Sequence, residues 1–134
     1  MRFFTHEEAN AALETVRPLV ERLVEKRKRF VHLAEKLEDI ERRVSGNGGS
    51  LDPERVLDLQ ERAAEAAADI ASLVTELEAA GVQVKDLDQG LVDFPAKHPR
   101  HGDTVLLCWH LGEDEVAHWH GLEEGFAGRK PLPF

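Results

Sequence analysis

Hydrophobic residues recur every three to four positions through residues 5–45, the spacing of one helix face. They nearly complete a heptad seam, and Arg27 and Glu41 occupy its two missing steps. The members of the seam are Leu13, Val16, Val20, Leu23, Phe30, Ala34, Leu37 and Val44. The pattern therefore predicts a long amphipathic helix.

The ends and interior of this helix carry their own signals. Thr5 and Glu8 have the spacing of a capping box, in which each side chain bonds the other residue's backbone N–H. Pro18 lies inside the pattern and lacks a backbone donor, so it predicts a kink or a short separate first helix.

A second helix follows the glycine-rich break SGNGGS at 45–50. Asp52 is placed to cap it, and Pro53 occupies the first turn, where proline is tolerated. Its apolar positions alternate by three and four without a miss, and Gly81 is expected to end it. These positions are Val56, Leu59, Ala63, Ala66, Ile70, Leu73, Leu77 and Ala80.

The connection between the helices is short, so residues 1–81 are predicted to form a long, coiled-coil-like antiparallel hairpin. Beyond Gly81 the period changes from 3.6 to 2, which indicates strands. Two short strands are expected at 82–85 and 91–95, the second stopped by Pro95. The predicted class is α+β, with a small antiparallel β unit at 82–134 packed on the hairpin.

The best hairpin pattern lies at 104–111 and 115–120, joined by Gly-Glu-Asp. This loop length pairs Cys108 with His118 and puts the odd positions on one apolar face toward the helices. The odd positions are Val105, Leu107, Trp109, Ala117 and Trp119, and the even ones are Leu106, Cys108, His110, Val116, His118 and His120.

The even face is a candidate metal site. Directly opposed residues bring Cys108 and His118 close enough to share an ion, with His120 or His110 as a third ligand. Asp93 is a further candidate, either as a ligand or as a partner that orients a histidine. Thiolate with imidazole suits zinc or another divalent transition metal, and three protein ligands leave one position open. The same pattern is also typical of an exposed polar sheet face.

Two more charged residues join the candidates. Glu113, at the loop tip, is placed to act as a general base toward a metal-bound water. Arg129 is expected to pair with Asp93 or Glu113, or to bind an anionic ligand, the structural pair being favoured. Phe126 is predicted to anchor the glycine-rich segment around it in the core, and His98 and His101 are taken as solvated loop residues.

Composition restricts the classes of function. The net charge is −9 and both halves of the chain are acidic, so nucleic acid and anionic lipid are poor partners. The basic run at 26–29 lies among acids and is interpreted as a solvated helix face. A single cysteine, with no signal-peptide pattern or long apolar stretch, gives a cytoplasmic expectation.

The two helices carry more apolar residues than their contact with each other and with a small sheet can cover. Leu19, Val24, Val31, Leu33, Leu57 and Val74 lie off the main seams. Burial of each is worth roughly 1.5–3 kcal/mol. The sequence therefore predicts a homodimer formed mainly through the helices, against the alternative of a monomer.

Five motifs resemble a bacterial family called domain of unknown function 2203. They are FTxEEAN (4–10), GLVDFPA (90–96), LCWxLGE (107–113), WH (119–120) and GFAGR (125–129). The family brings no established activity. The resemblance implies that His110 and His118 are not part of the family's pattern. It singles out Asp93, Cys108, Trp109, Glu113, Trp119, His120, Phe126 and Arg129.

Two functional hypotheses follow. In the first, the β unit holds a metal or small ligand and has a role of hydrolytic type. In the second, the helical hairpin is a non-catalytic interaction or scaffold module that dimerises and docks a protein partner, and the β unit only caps it.

Overall fold

Two long helices precede a five-stranded antiparallel sheet in the computed structural model, which describes residues 1–47 and 51–134. Helix α1 spans His6–Asn47 and α2 spans Pro53–Ala79. The strands are β1 Gln83–Asp86, β2 Leu91–Lys97, β3 Thr104–His110, β4 His118–Gly121 and β5 Lys130–Pro131. Their order in the sheet follows the chain from β1 to β5. The predicted α+β class is confirmed.

Helix α1 begins with the predicted capping box. The Thr5 hydroxyl accepts the Glu8 N–H at 3.0 Å, and the Glu8 carboxylate accepts the Thr5 N–H at 2.9 Å. The helix then runs through Pro18 without interruption, so a separate first helix is wrong. Pro18 is exposed, and water can therefore reach the carbonyl that its ring leaves without a partner.

The turn between the helices begins later than the sequence suggests, because α1 still includes residues 45–47. Residues 48–50, the rest of the predicted break, lie outside the described residues. The Asp52 carboxylate caps α2 by accepting the N–H groups of Glu54 and Arg55. At the other end Gly81 adopts φ +90°, and the Gly81 and Val82 N–H groups bond back to the last turn, as in a Schellman motif.

Both predicted seams are buried near the sheet, whereas farther along α1 the seam residues Phe30, Ala34 and Leu37 are half-buried and the off-seam Leu33 is buried. The α1 half nearest the sheet buries Leu13, Val16, Val20 and Leu23, and α2 buries Leu59, Ala66, Leu73 and Leu77. One cluster joins Leu73 and Leu77 of α2 and the buried α1 residues up to Val24 to one face of the sheet, where Val92, Phe94, Val105, Leu107 and Trp109 lie. The half of the hairpin farther from the sheet contributes none of its residues to this cluster.

Strand β2 extends past Pro95, so the prediction that this proline stops the strand is wrong. Pro95 is opposite Leu106 of β3, and its carbonyl accepts the Phe4 N–H at 2.7 Å. The carbonyl and the ring nitrogen of a strand residue face the same side, so the nitrogen faces away from β3. The pairing with β1 reaches only Asp93, and the missing donor therefore breaks no bond of the sheet.

The β3–β4 register confirms the predicted pairing of Cys108 with His118. The connection, however, covers residues 111–117 rather than three residues, so the predicted strand at 115–120 starts too early. Trp109 is fully buried and Trp119 packs partly buried against the same cluster, as the shared parity requires. Val116, which the sequence assigned to the even face, is in that cluster too. It lies in the connection before β4, where side chains do not alternate between the two faces of the sheet.

A candidate metal centre in the sheet

Three potential ligands come from three adjacent strands. Asp93 of β2 lies directly opposite Cys108 of β3, and His120 of β4 lies opposite Leu106 of β3. Their sequence neighbours Phe94 and Leu107 belong to the core between sheet and helices. Successive strand residues point to opposite faces, so the three side chains occupy the face away from the helices.

The three ligand atoms converge in a buried volume. The nearest donor atoms of Asp93, Cys108 and His120 all lie within 4.8 Å of one another. The residues are 1%, 0% and 4% exposed. His120 Nε2 is 3.3 Å from each carboxylate oxygen of Asp93. Of the residues described, only these three form such a group of His, Cys, Asp and Glu.

The tautomer of His120 follows from its second nitrogen. Nδ1 lies 2.8 Å from the Gly121 carbonyl oxygen, which can only accept, so Nδ1 carries the hydrogen. In the neutral ring Nε2 then has a lone pair, and this lone pair faces the Asp93 carboxylate. Metal-binding histidines are commonly held in this way, with the other nitrogen donating to a backbone carbonyl.

Burial dominates the electrostatics of the two acidic ligands. It raises the pKa of Asp93, against the opposing effects of His120, Lys85 and a hydrogen bond from Cys108. Burial also raises the pKa of Cys108, with a further rise from the Asp93 charge, to about 12 despite the lowering effect of Arg129. The charged forms of both side chains are therefore costly in this site unless a cation offsets them.

Arg129 and Glu113 form an ion pair beside this group. Arg129 Nη2 donates to Glu113 Oε1 at 2.6 Å and to the Cys108 carbonyl at 3.4 Å. The guanidinium carbon lies 4.7 Å from the centre of the Phe126 ring. Of the two partners expected for Arg129, the structure therefore pairs it with Glu113. The pair fixes a guanidinium next to the cysteine.

The Glu113 carboxylate accepts two hydrogen bonds through one oxygen, Oε1. It accepts from Arg129 and from the His110 backbone N–H at 2.9 Å. Burial raises the pKa of Glu113, but the hydrogen bonds from Arg129 and His110 and the Arg129 charge outweigh it, and the net pKa is lowered. A carboxylate with these partners is a weak proton acceptor.

The remaining histidine candidates lie around Glu113 rather than in the triad. His118 is opposite Cys108 in the sheet, yet its Nδ1 is 3.5 Å from Glu113 Oε2. His110 Nε2 is 3.7 Å from Glu113 Oε1, and its Nδ1 contacts the Leu111 carbonyl. The sequence thus identified the right face, but the structure groups Asp93, not His118, with Cys108 and His120.

Two aromatic expectations are wrong. Phe126 is 44% exposed and covers the Arg129 guanidinium instead of anchoring its segment in the core. His98 is buried rather than solvated, and its Nδ1 accepts the backbone N–H groups of Arg100 and His101. Its ring packs edge-on against Trp119 and Phe134. The sequence signal for this role was weak, since the aromatic partners come from distant segments.

Glu124 and Lys130 also support the site and were missed. The Glu124 carboxylate accepts the Gly121 N–H at 2.9 Å and binds Lys130 Nζ at 2.6 Å. These bonds hold the backbone at Gly121, whose carbonyl orients His120. The one available signal was the mixture of charges and glycines at 121–130.

A family model described as "Uncharacterized conserved protein (DUF2203)" matches residues 2–132, nearly the whole chain. The chain belongs to this family. No curated protein and no solved structure matches it. In this DUF2203 protein no helix of the described residues is long and apolar enough to cross a membrane.

Proposed function

We propose that this DUF2203 protein binds a divalent transition metal, with zinc the best fit, through Asp93, Cys108 and His120. The observation that carries the proposal is the contact between His120 Nε2 and Asp93. An imidazole lone pair and a carboxylate face each other at 3.3 Å in a buried site, and a thiol lies beside them. Two acceptors in this position call for a proton or a cation between them.

The distance favours a cation. Charge-assisted hydrogen bonds between nitrogen and a carboxylate are shorter, about 2.7–2.9 Å. Two ligands at about 2.0–2.1 Å from a tetrahedral zinc are separated by about 3.4 Å. The 3.3 Å between Nε2 and the Asp93 oxygens fits this edge of a tetrahedron.

The charges favour the same conclusion. A dication offsets the buried Asp93 carboxylate and the Cys108 thiolate, both of which burial disfavours. Imidazole, thiolate and carboxylate are each ligands that zinc takes in proteins. The Gly121 carbonyl that accepts from His120 Nδ1 supplies the outer hydrogen bond that such ligands have.

Three protein ligands leave a fourth tetrahedral position for water or an exogenous ligand, as in catalytic zinc sites. This is the support for a hydrolytic role. Glu113 is not supported as the general base, because its net pKa is lowered and both Arg129 and the His110 N–H bond its Oε1. A metal held by Asp93, Cys108 and His120 would supply the acidity of a water in that position.

A cysteine nucleophile is the competing use of the same residues, and the geometry disfavours it. Reactive thiols are partly exposed and have a lowered pKa. Cys108 is 0% exposed, and burial raises the pKa of its thiol to about 12. His120 Nε2, the nitrogen that would serve as base, faces Asp93.

The test is metal analysis of protein purified without a histidine tag, followed by cobalt titration. Wild-type protein is expected to bind one equivalent and to show thiolate-to-cobalt charge transfer. Asp93→Asn, Cys108→Ser and His120→Asn should each abolish that signal. His118→Asn is the matched control, because His118 lies opposite Cys108 in the sheet. Loss of binding in the control but not in His120→Asn would reject the triad.

A second proposal concerns self-association, and one observation favours it. Leu51 and Leu57 are 53% and 56% exposed in the part of the hairpin that the sheet does not cover. Leu51 lines a groove of about 300 Å³ in which apolar residues, Leu37, Ile40 and Val56 among them, alternate with the polar Glu41, Ser45 and Gln60. A second copy of the chain is the occupant we propose, which would make the hairpin a dimerisation module.

Light scattering at micromolar concentration tests the dimer. Wild-type protein is expected at twice the monomer mass, and Leu57→Glu should shift it to the monomer. Leu122→Glu is the control, because Leu122 is 61% exposed but lies on the β unit. A wild-type monomer would remove the proposal.

A further inference from the structure

Two polar atoms beside the triad are buried without a hydrogen-bond partner among the residues that the structure describes: Arg129 Nε and His118 Nδ1. Both residues contact the Glu113 carboxylate, Arg129 through Nη2 at 2.6 Å from Oε1 and His118 through Nδ1 at 3.5 Å from Oε2. Buried polar groups nearly always have a hydrogen-bond partner, so two such atoms on neighbouring residues require an explanation.

Both residues are also neighbours of Cys108. His118 is its partner across the sheet, and the Arg129 guanidinium donates to the Cys108 carbonyl at 3.4 Å. Their side chains are mostly covered, at 35% and 14% exposure. The Arg129 guanidinium therefore lies beside the residue through which a metal would be held.

We infer that the open metal position takes an anionic oxygen donor, the carboxylate or phosphate of a small molecule, with Arg129 and His118 as its protein partners. The inference rests on the proposed metal site. Arg129 is suited to this role because its planar guanidinium retains free N–H groups after binding Glu113. Glu113 and the Phe126 ring hold that guanidinium in place, 2.6 Å and 4.7 Å away, which limits the entropy lost on binding an anion.

Hydrogen bonding, rather than net charge, favours an anion at this site. A dication with the Cys108 thiolate, the Asp93 carboxylate and neutral His120 has no net charge, and Glu113 cancels Arg129, so one added anion brings the site to −1. A neutral ligand would satisfy the metal equally well, but a neutral oxygen is a weaker acceptor for the Arg129 N–H. An anionic oxygen satisfies both the metal and the guanidinium.

The test uses full-length protein loaded with cobalt, so that metal binding and anion binding have separate signals. Inorganic phosphate and acetate are titrated separately while the visible cobalt bands are recorded. At least one anion should shift the bands saturably at millimolar concentration. Tighter binding of phosphate would indicate a site for a tetrahedral anion, and tighter binding of acetate a site for a planar carboxylate. Chloride at the same ionic strength is the control for salt.

Arg129→Gln is expected to keep one equivalent of bound cobalt and a thiolate charge-transfer band, but to lose about tenfold or more in anion affinity, equivalent to about 1.4 kcal/mol. Because this change leaves Glu113 without its partner, Glu113→Gln/Arg129→Gln provides a second, charge-neutral variant. Cobalt binding without any anion response in wild-type protein would overturn this inference and leave the metal site standing. Absence of cobalt binding would overturn both.

Discussion

His120 Nε2 lies 3.3 Å from both carboxylate oxygens of Asp93, although 27 residues separate the two along the chain. Neither residue belongs to a motif with the other. The contact exists because β2 and β4 flank β3 on either side, and it closes the group that includes Cys108. The consequences of this geometry can be measured without knowing a substrate.

Asp93→Asn should have opposite effects on the metal-free and the zinc-loaded protein. Burial raises the pKa of Asp93, so its carboxylate is disfavoured in the metal-free fold, and an amide can donate to His120 Nε2. We expect about 1 kcal/mol of added stability in chelator. Zinc at 100 times its Kd should stabilise wild-type protein by about 2.7 kcal/mol and the variant not at all. Urea unfolding with and without zinc measures both, and parallel responses of the two proteins would contradict the assignment.

The Cys108 thiol should be unreactive in the native, metal-free protein. It is 0% exposed, and burial raises its pKa to about 12, so little thiolate is present near neutral pH. Reaction with a disulfide reagent at pH 7.5 is expected to be about a hundredfold slower than in denaturant, because it requires local opening. Cys108 is the only cysteine, so the absorbance reports this site alone. Equal native and denatured rates would show an open site.

Glu113→Gln should weaken the protein at neutral pH but not in acid. The net pKa of Glu113 is lowered in the folded protein, so its carboxylate stabilises the fold above the ordinary value of 4.5. That contribution is lost as the pH falls below 4.5 toward the folded value. We expect a loss of about 1–3 kcal/mol at pH 7. The difference in the free energy of unfolding between wild type and variant should become smaller as the pH is lowered from 5 to 3. Exposed Glu115→Gln is the control, and a gap independent of pH would contradict the cause given.

Gly90→Ala and Gly102→Ala separate backbone strain from steric conflict. Both glycines have positive φ, +66° and +73°, which costs an alanine about 1–2 kcal/mol. A Cβ at Gly90 would lie 2.7 Å from Val20 Cγ1 and 3.0 Å from Val24 Cγ2, whereas at Gly102 nothing lies within 4 Å. Gly90→Ala should therefore lose about 1–3 kcal/mol more in chemical denaturation. Equal losses in the free energy of unfolding would show that a Cβ at Gly90 does not clash with Val20 and Val24 of α1.

The local chemistry of the chain determined its elements. The capping box at Thr5 and Glu8, the Asp52 cap, the Gly81 ending and the two apolar seams each depend on residues one or two turns apart, and all are present. The sequence also determined the pairing of Cys108 with His118, because only that register puts Trp109 and Trp119 on one face. Where local rules conflicted with the surroundings, they gave wrong answers. Pro95 lies within a strand because its side away from β3 is free of strand pairing. Phe126 stays exposed and packs on the Arg129 guanidinium.

Only the tertiary structure decided which polar residues meet. Period-two alternation assigns Cys108, His118 and His120 to one face, but it does not say which strand lies on the other side of β3. The placement of β2 brings Asp93 opposite Cys108, while the ion pair of Arg129 with Glu113 keeps Glu113 beside His118. Side-chain direction is a property of neighbouring bonds, whereas the distance between strands far apart in sequence depends on how the whole sheet packs against the helices.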